Sequence, residues 1–363
     1  MTVSDSNEFN LLVPSSISRR HLLKLVAAAA ATSGVGINMA RAEETLNMFT
    51  WTTFGEQPMV EFSAENDFTI RPTFYASTDE MLSKLRGGGT RLYDMAVPLQ
   101  SAVPLMAELG LIAPMDKSRF TNLDGVFPEF VGTPEWEFDD KFYGVPFVWG
   151  ANAIAYNKAE TGELDSLDAL FDPKFAGRIG MRDEPEDSLA IGALKLGIKQ
   201  PYQMDEAALQ EVKKLMISQK PLVRAYWKSI ADVQTMLASG EVVVSWAFLA
   251  IVKPLREQGV DIHWLWPKEG AIGWNEGIVL VSGSKNKEKV EDYANLTISA
   301  DYGVKLGQMT RYASSSKAAV EKMGPEMAAD LGIDPATMSQ LVFKQHLPNR
   351  ARWVDIWNEV KAA

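Results

Sequence analysis

The chain has 363 residues, 46% of them apolar and 23% charged, a composition typical of folded proteins and far from disordered or collagen-like chains. Its 47 Asp and Glu outnumber its 36 Lys and Arg, giving a net charge of −11; that excludes a general nucleic-acid binder with its basic stripe and suits cationic small molecules. It contains no Cys, which excludes disulfides, thiolate metal centres, iron–sulfur clusters, cysteine nucleophiles and a lipid-modified N-terminal Cys, and leaves His21, His263 and His346 as the imidazole candidates for a metal.

Arg19-Arg20-His21-Leu22-Leu23-Lys24 opens an alanine-rich apolar stretch that closes at Ala40-Arg41-Ala42. A charged start, a short apolar middle and a small-x-small end predict a secretory leader over residues 1–42, cleaved after Ala42. The apolar run is shorter than the about 20 residues that span a bilayer. The arginine pair with Leu22 two positions on resembles a Tat signal, a general secretory leader being the alternative. Either route takes the remaining 321 residues, of net charge −13, out of the cytoplasm and into the periplasm.

Short strands then alternate with helices. Strands are expected over 44–51, 68–75 and 93–97, and helices over 57–65, 77–86 and 102–109, with Ser77 or Thr78 capping the second. Further strands are expected over 151–156, 177–181, 241–246 and 277–281. Helices are expected over 188–196, 205–218, 228–238, 287–298 and 350–360, the third of these stopped by Gly240. This alternation predicts an α/β protein with sheets covered by helices. No long Ser/Gly linker separates its parts, so two domains of about 150 residues each would be joined by crossings buried in strands, with Gly150 and Trp274–Gly277 as candidates.

Motifs for covalent chemistry are missing. The sequence has no Gly-x-Ser-x-Gly elbow and no phosphate-binding loop, and Gly87-Gly88-Gly89 follows a helix instead of opening one. His263 sits in an alternating, strand-like run, Asp261-Ile262-His263-Trp264, and reads as a half-exposed strand residue. What the sequence does offer is aromatics beside carboxylates at loop-like positions: Trp51-Thr52-Thr53-Phe54, Asp183-Glu184-Pro185-Glu186-Asp187, Trp246-Ala247-Phe248, Trp274-Asn275-Glu276 and Tyr312. A ring face attracts a desolvated cation by about 0.5–2 kcal/mol. A carboxylate adds a charge-assisted hydrogen bond of about 1.5–3 kcal/mol. Trp274 and Glu276, two apart in an extended stretch, share a face.

These residues resemble the spermidine/putrescine-binding components of ABC importers over nearly the whole exported chain. The resemblance lies in Phe49-Thr50-Trp51-Thr52, in Tyr93-Asp94-Met95-Ala96-Val97-Pro98, in Pro146-Phe147-Val148-Trp149-Gly150-Ala151-Asn152, in Ser166–Ile179 with its Asp172-Pro173-Lys174-Phe175-Ala176-Gly177 core, and in Trp266-Pro267-Lys268-Glu269-Gly270 ahead of Trp274-x-Glu276. It implies a two-lobe, type II periplasmic binding fold, each lobe a mostly parallel sheet flanked by helices. Residues 43–150 with 275–320 would form lobe I, residues 151–274 with 321–363 lobe II, and the ligand would sit between them. It further implies a monomeric, non-enzymatic receptor without cofactor or metal, which delivers a cationic amine to an inner-membrane permease.

Residue by residue, the resemblance puts Trp51, Thr52 and Phe54 on one wall and has Tyr312 close from the same lobe. Glu184 and Asp187 would meet ammonium groups from the other lobe, Phe248 stands where the family has a stacking tryptophan, Trp274 would stack on the ligand, and Glu276 would bind the principal ammonium. The family pattern is altered at several points. Each acid is exchanged, Asp for Glu or the reverse. Phe54 lacks a tyrosine hydroxyl, and Leu99-Gln100-Ser101 replaces a Ser-x-Tyr. The amine's identity therefore stays open. An opine, an aminophosphonate (with Arg182 as the anion-binding candidate), ferric ion or a carboxylate-dependent secreted hydrolase remain as alternatives; the absence of adjacent tyrosines weighs against iron.

Overall fold

The computed structural model describes residues 45–333, 338 and 340–363, so the leader expected over 1–42 lies outside the described residues. From Thr45 onward, strands and helices alternate as expected and build two main sheets. In the first, Leu46–Thr50 lies between Ile70–Phe74 and Met95–Ala96, parallel to both, and Val279–Val281 then pairs antiparallel with Met95–Ala96 and with Ile112–Ala113. Alternate residues of these strands face opposite ways: Leu46, Met48, Met95 and Leu280 enter one core, Phe49, Ala96, Val279 and Val281 another. A sheet covered on both faces explains why these strands read as short apolar runs.

The second sheet is organised by one long strand, Pro146–Asn157, buried along nearly its whole length. Antiparallel to it run Ala271–Gly277, Val244–Phe248, Ile262–Leu265 and Ala313–Ser314. Parallel pairs extend the sheet outward, from Val244–Phe248 to Ile179–Arg182 to Val223–Trp227 on one side, and from Ala271–Gly277 to Leu341–Phe343 on the other. Both sheets are thus mixed, because the segments that pass from one sheet to the other return antiparallel to their neighbours. His263 is half-buried on its strand.

Helix starts follow local chemistry. Ser77 accepts from the Glu80 amide, Asp205 from the Ala208 amide, and Ser229 with Asp232 forms a reciprocal capping box. Helices Ala300–Thr310 and Lys317–Asp330, for which the sequence reading makes no assignment, pack on each other, and the second supplies Ala328 to the same core as Tyr302 and Leu306. The lobe boundary expected after residue 320 falls inside this helix. Arg350–Ala362 packs with Pro185–Lys195 and Glu206–Gln219 through Trp353, Ile356, Trp357 and Val360.

The passage between the sheets is tight at Gly277, where the strand register shifts. A Cβ there would stand 2.5 Å from the Val145 carbonyl oxygen and 2.7 Å from the Trp136 ring. Backbone and a buried indole yield poorly, so Gly277→Ala is expected to lower unfolding free energy by about 1–3 kcal/mol, measured by urea denaturation; an unchanged midpoint would show that this crossing is looser than the packing indicates.

Candidate ligand-binding site

The antiparallel register sets Trp274 opposite Gly150 and Glu276 opposite Val148, so both side chains leave the same face of their strand. Gly150 is required here: a Cβ would lie 2.4 Å from the Trp274 ring, which therefore rests on bare backbone. The Trp274 indole N–H donates to Asn152 Oδ1 at 3.1 Å, fixing the ring. Tyr312, just before the short strand paired to Trp149 and Val148, meets Trp274 edge-on with ring centroids 5.0 Å apart.

The facing wall comes from the first sheet. Trp51 ends strand Leu46–Thr50 and packs at 4.4 Å against Tyr75, whose hydroxyl donates to the Val97 carbonyl. The 3₁₀ turn Thr52–Phe54 then carries Thr53 and Phe54 inward. With Leu99, Arg182, Trp227, Lys228, Ile230, Phe248 and Lys344, these residues enclose a cavity of about 220 Å³.

Of the residues singled out from the sequence, Trp51, Phe54, Phe248, Trp274, Glu276 and Tyr312 line this cavity, as does Arg182, the candidate for an anionic solute. Thr52 does not: it is exposed on the turn, and Thr53 takes its place. Glu184 and Asp187 are also placed differently from expectation. Glu184 caps helix Pro185–Lys195 by accepting from the Asp187 amide at 2.7 Å, and borders an adjoining cavity. Asp187 is fully buried. Its carboxylate takes the Lys344 ammonium at 2.7 Å, the Arg182 guanidinium at 2.7 Å and the Asn152 amide at 2.9 Å. Both acids therefore already serve internal donors.

Burial alone would raise the Asp187 carboxyl, but Lys344 and Arg182 overcome it and hold it below its ordinary value. Burial likewise opposes the charge on Lys344, yet Asp187, Glu184 and Glu186 keep that ammonium's pKa above the usual lysine value. Glu276 is the contrasting case. It is 6% exposed and its Oε2 has no hydrogen-bond partner in the protein. Burial pushes its carboxyl well above the ordinary range, with Lys344 and Arg182 pulling only partly in the other direction. The Trp51 indole nitrogen is likewise buried without a partner.

Lys344, Trp227, Lys228 and Ile230 escaped the sequence reading, while Thr53 and Leu99 stand in stretches it quotes without naming them as site residues. Lys344 follows Phe343, which pairs with Gly273, and its amide donates to the Gly273 carbonyl, so the pairing delivers a residue 70 positions distant to the side of Trp274. The signal available was a lysine ending the apolar run Leu341-Val342-Phe343.

A sequence model of the family described as bacterial extracellular solute-binding protein matches residues 58–334. The spermidine/putrescine-binding periplasmic protein of Salmonella typhimurium is 29% identical over 324 residues, covering 87% of this chain and 89% of that protein. A putrescine/cadaverine-binding protein of Pseudomonas aeruginosa is 26% identical, covering 91% and 97%. The crystal structure of the spermidine/putrescine ABC transporter substrate-binding protein of Streptococcus pneumoniae superposes with a TM-score of 0.76 at 19% identity, over 88% of this chain and 98% of that one. The fold is thus the type II periplasmic binding fold.

The Glu276 carboxyl titrates higher in the folded chain than in the unfolded one, where it stays near about 4.3. Its contribution to stability is complete below that unfolded value and is lost as pH rises toward the folded one. Glu276→Gln removes this loss. Its Tm should exceed that of the parent near about pH 7 and converge with it toward about pH 4, read by differential scanning calorimetry; a gap independent of pH would contradict a raised Glu276.

Proposed function

The chain belongs to the bacterial extracellular solute-binding protein family, and from that premise we propose that it is the receptor of an ABC importer, capturing a polyamine or related amine and passing it to a membrane permease. The observation that carries this reading is the buried, unpartnered Glu276 Oε2 beside the rings of Trp274, Tyr312 and Trp51. An organic ammonium supplies what this oxygen lacks. It brings a charge-assisted hydrogen bond of about 1.5–3 kcal/mol and a cation–π attraction of about 0.5–2 kcal/mol, while aromatic walls cover its methylenes. The names of the relatives, which bind spermidine, putrescine or cadaverine, support the same chemistry.

In this reading the two sheets with their helices act as two lobes, joined where Pro146–Asn157 and Ala271–Gly277 pass between them. A solute touching Trp51 and Phe54 on one side and Phe248 and Arg182 on the other binds the closed arrangement selectively and shifts the balance toward it. Arg350, on the wall of the adjoining cavity, links the two sides, donating to Glu186 at 2.7 Å and to Asp79, on the helix after the second strand, at 3.0 Å. The receptor works as a monomer in the periplasm and performs no chemistry on its solute. Glu184 and Asp187, the acids expected from the second lobe, are engaged by cations and a helix cap.

Two measurements test this. In calorimetric titrations with putrescine, spermidine, butylamine and 4-aminobutanoate, at least one amine should bind, weakened about tenfold or more by Glu276→Gln. Its binding enthalpy should vary with the buffer's ionisation enthalpy, because the ammonium drives a proton off Glu276; binding indifferent to both the substitution and the buffer would remove Glu276 from the site. Arg350→Ala deletes a partly exposed clasp and should weaken the same amine about two- to fivefold by raising the dissociation rate, measured by stopped-flow.

A further inference from the structure

Beyond the ammonium seat, the cavity changes sign. Among the described residues that line it, Glu276 is the one acid, whereas Arg182, Lys228 and Lys344 are cationic. A diamine needs an acceptor at each end, and the two acids expected to serve the second end are engaged. Asp187 holds Lys344 and Arg182, and Glu184 caps a helix 3.6 Å from the Lys344 ammonium. The second stacking surface is engaged too: the Arg182 guanidinium carbon lies 4.7 Å from the centre of the Phe248 ring. A second ammonium entering there would meet a guanidinium and a buried lysine.

The same arrangement suits an oxyanion. Arg182 is held at one nitrogen by Asp187 and laid against Phe248, so its orientation is set before any solute arrives. A guanidinium has five N–H donors in a planar fork, of which this pairing uses one, and the fork matches the two oxygens of a carboxylate. Lys344 is 3% exposed and adds fixed positive charge behind it. Lys228, largely exposed, adds more at the rim.

We infer that the solute carries one ammonium and one carboxylate at opposite ends of a short chain, an ω-amino carboxylate rather than a diamine, with its ammonium on Glu276 and its carboxylate on Arg182. This rests on the ammonium seat proposed above and adds the second end.

The test is calorimetry on the purified protein with 4-aminobutanoate, 5-aminopentanoate, putrescine, cadaverine and butylamine. The amino carboxylates should bind about tenfold or more tighter than the diamines of matching length, one charge-assisted hydrogen bond being enough for that ratio. Arg182→Gln should shrink the ratio below about threefold; a ratio unmoved by this folded variant overturns the assignment to Arg182. Because Arg182 also pairs with Asp187, circular dichroism checks the variant's fold, and if it fails to fold the parent's ratio alone decides. Putrescine binding as tightly as 4-aminobutanoate, or tighter, overturns this inference and leaves the amine receptor standing. Binding of none of the five overturns this inference together with the ammonium seat it rests on, and binding unaffected by Glu276→Gln removes Glu276 from the site and with it this assignment of the two ends.

Discussion

The pairing of Lys344 with Asp187, joined by Arg182, decides what the cleft can offer a guest. Asp187 is fully buried, and an isolated carboxylate in that position would lose its hydration without return. Two cations and the Asn152 amide compensate it. Deleting one partner of such a buried pair typically costs about 3–5 kcal/mol, so the group behaves as a unit. Once these acids are satisfied from within, a single carboxylate remains to greet a cation, and the positive charge that satisfies them is displayed to the cavity instead. An acidic chain thereby presents a site whose charged lining residues are mostly basic, which its net charge of −11 conceals.

Much of the fold was legible because the signals were local. Gln57–Glu65 is a helix over the expected residues, and Ser77, Asp205 and Ser229 mark starts by chemistry readable within four positions. Strand direction is a different kind of information. Apolar periodicity gives the faces of Pro146–Asn157 and Ala271–Gly277 but not that they run antiparallel, which depends on where the chain crosses between sheets. Nor does the pattern show that helix Lys317–Asp330 bends at Gly324 and Pro325 and stays with the core of Tyr302.

The site divides along the same line. Aromatics at strand ends announced themselves: Trp51 beside two threonines, and Trp274 two residues from Glu276. Arg182 was visible beside its acids and was set aside for an anionic solute. Lys344 was not visible, since only strand pairing through Phe343 and Gly273 brings it beside Asp187. Motif likeness points to Glu184 and Asp187 as acids, yet the role of an acid depends on which cation reaches it first, and that is a tertiary fact.

Burial raises the Glu276 carboxyl well above its ordinary range, so its charged form is costlier in the pocket than in water. Sodium, potassium and calcium, abundant wherever an exported protein works, shed their water only for several oxygen ligands at once. Rings and one buried carboxyl do not compensate that dehydration. The arrangement thus favours a guest that brings its own donors to that carboxyl over a hydrated salt ion.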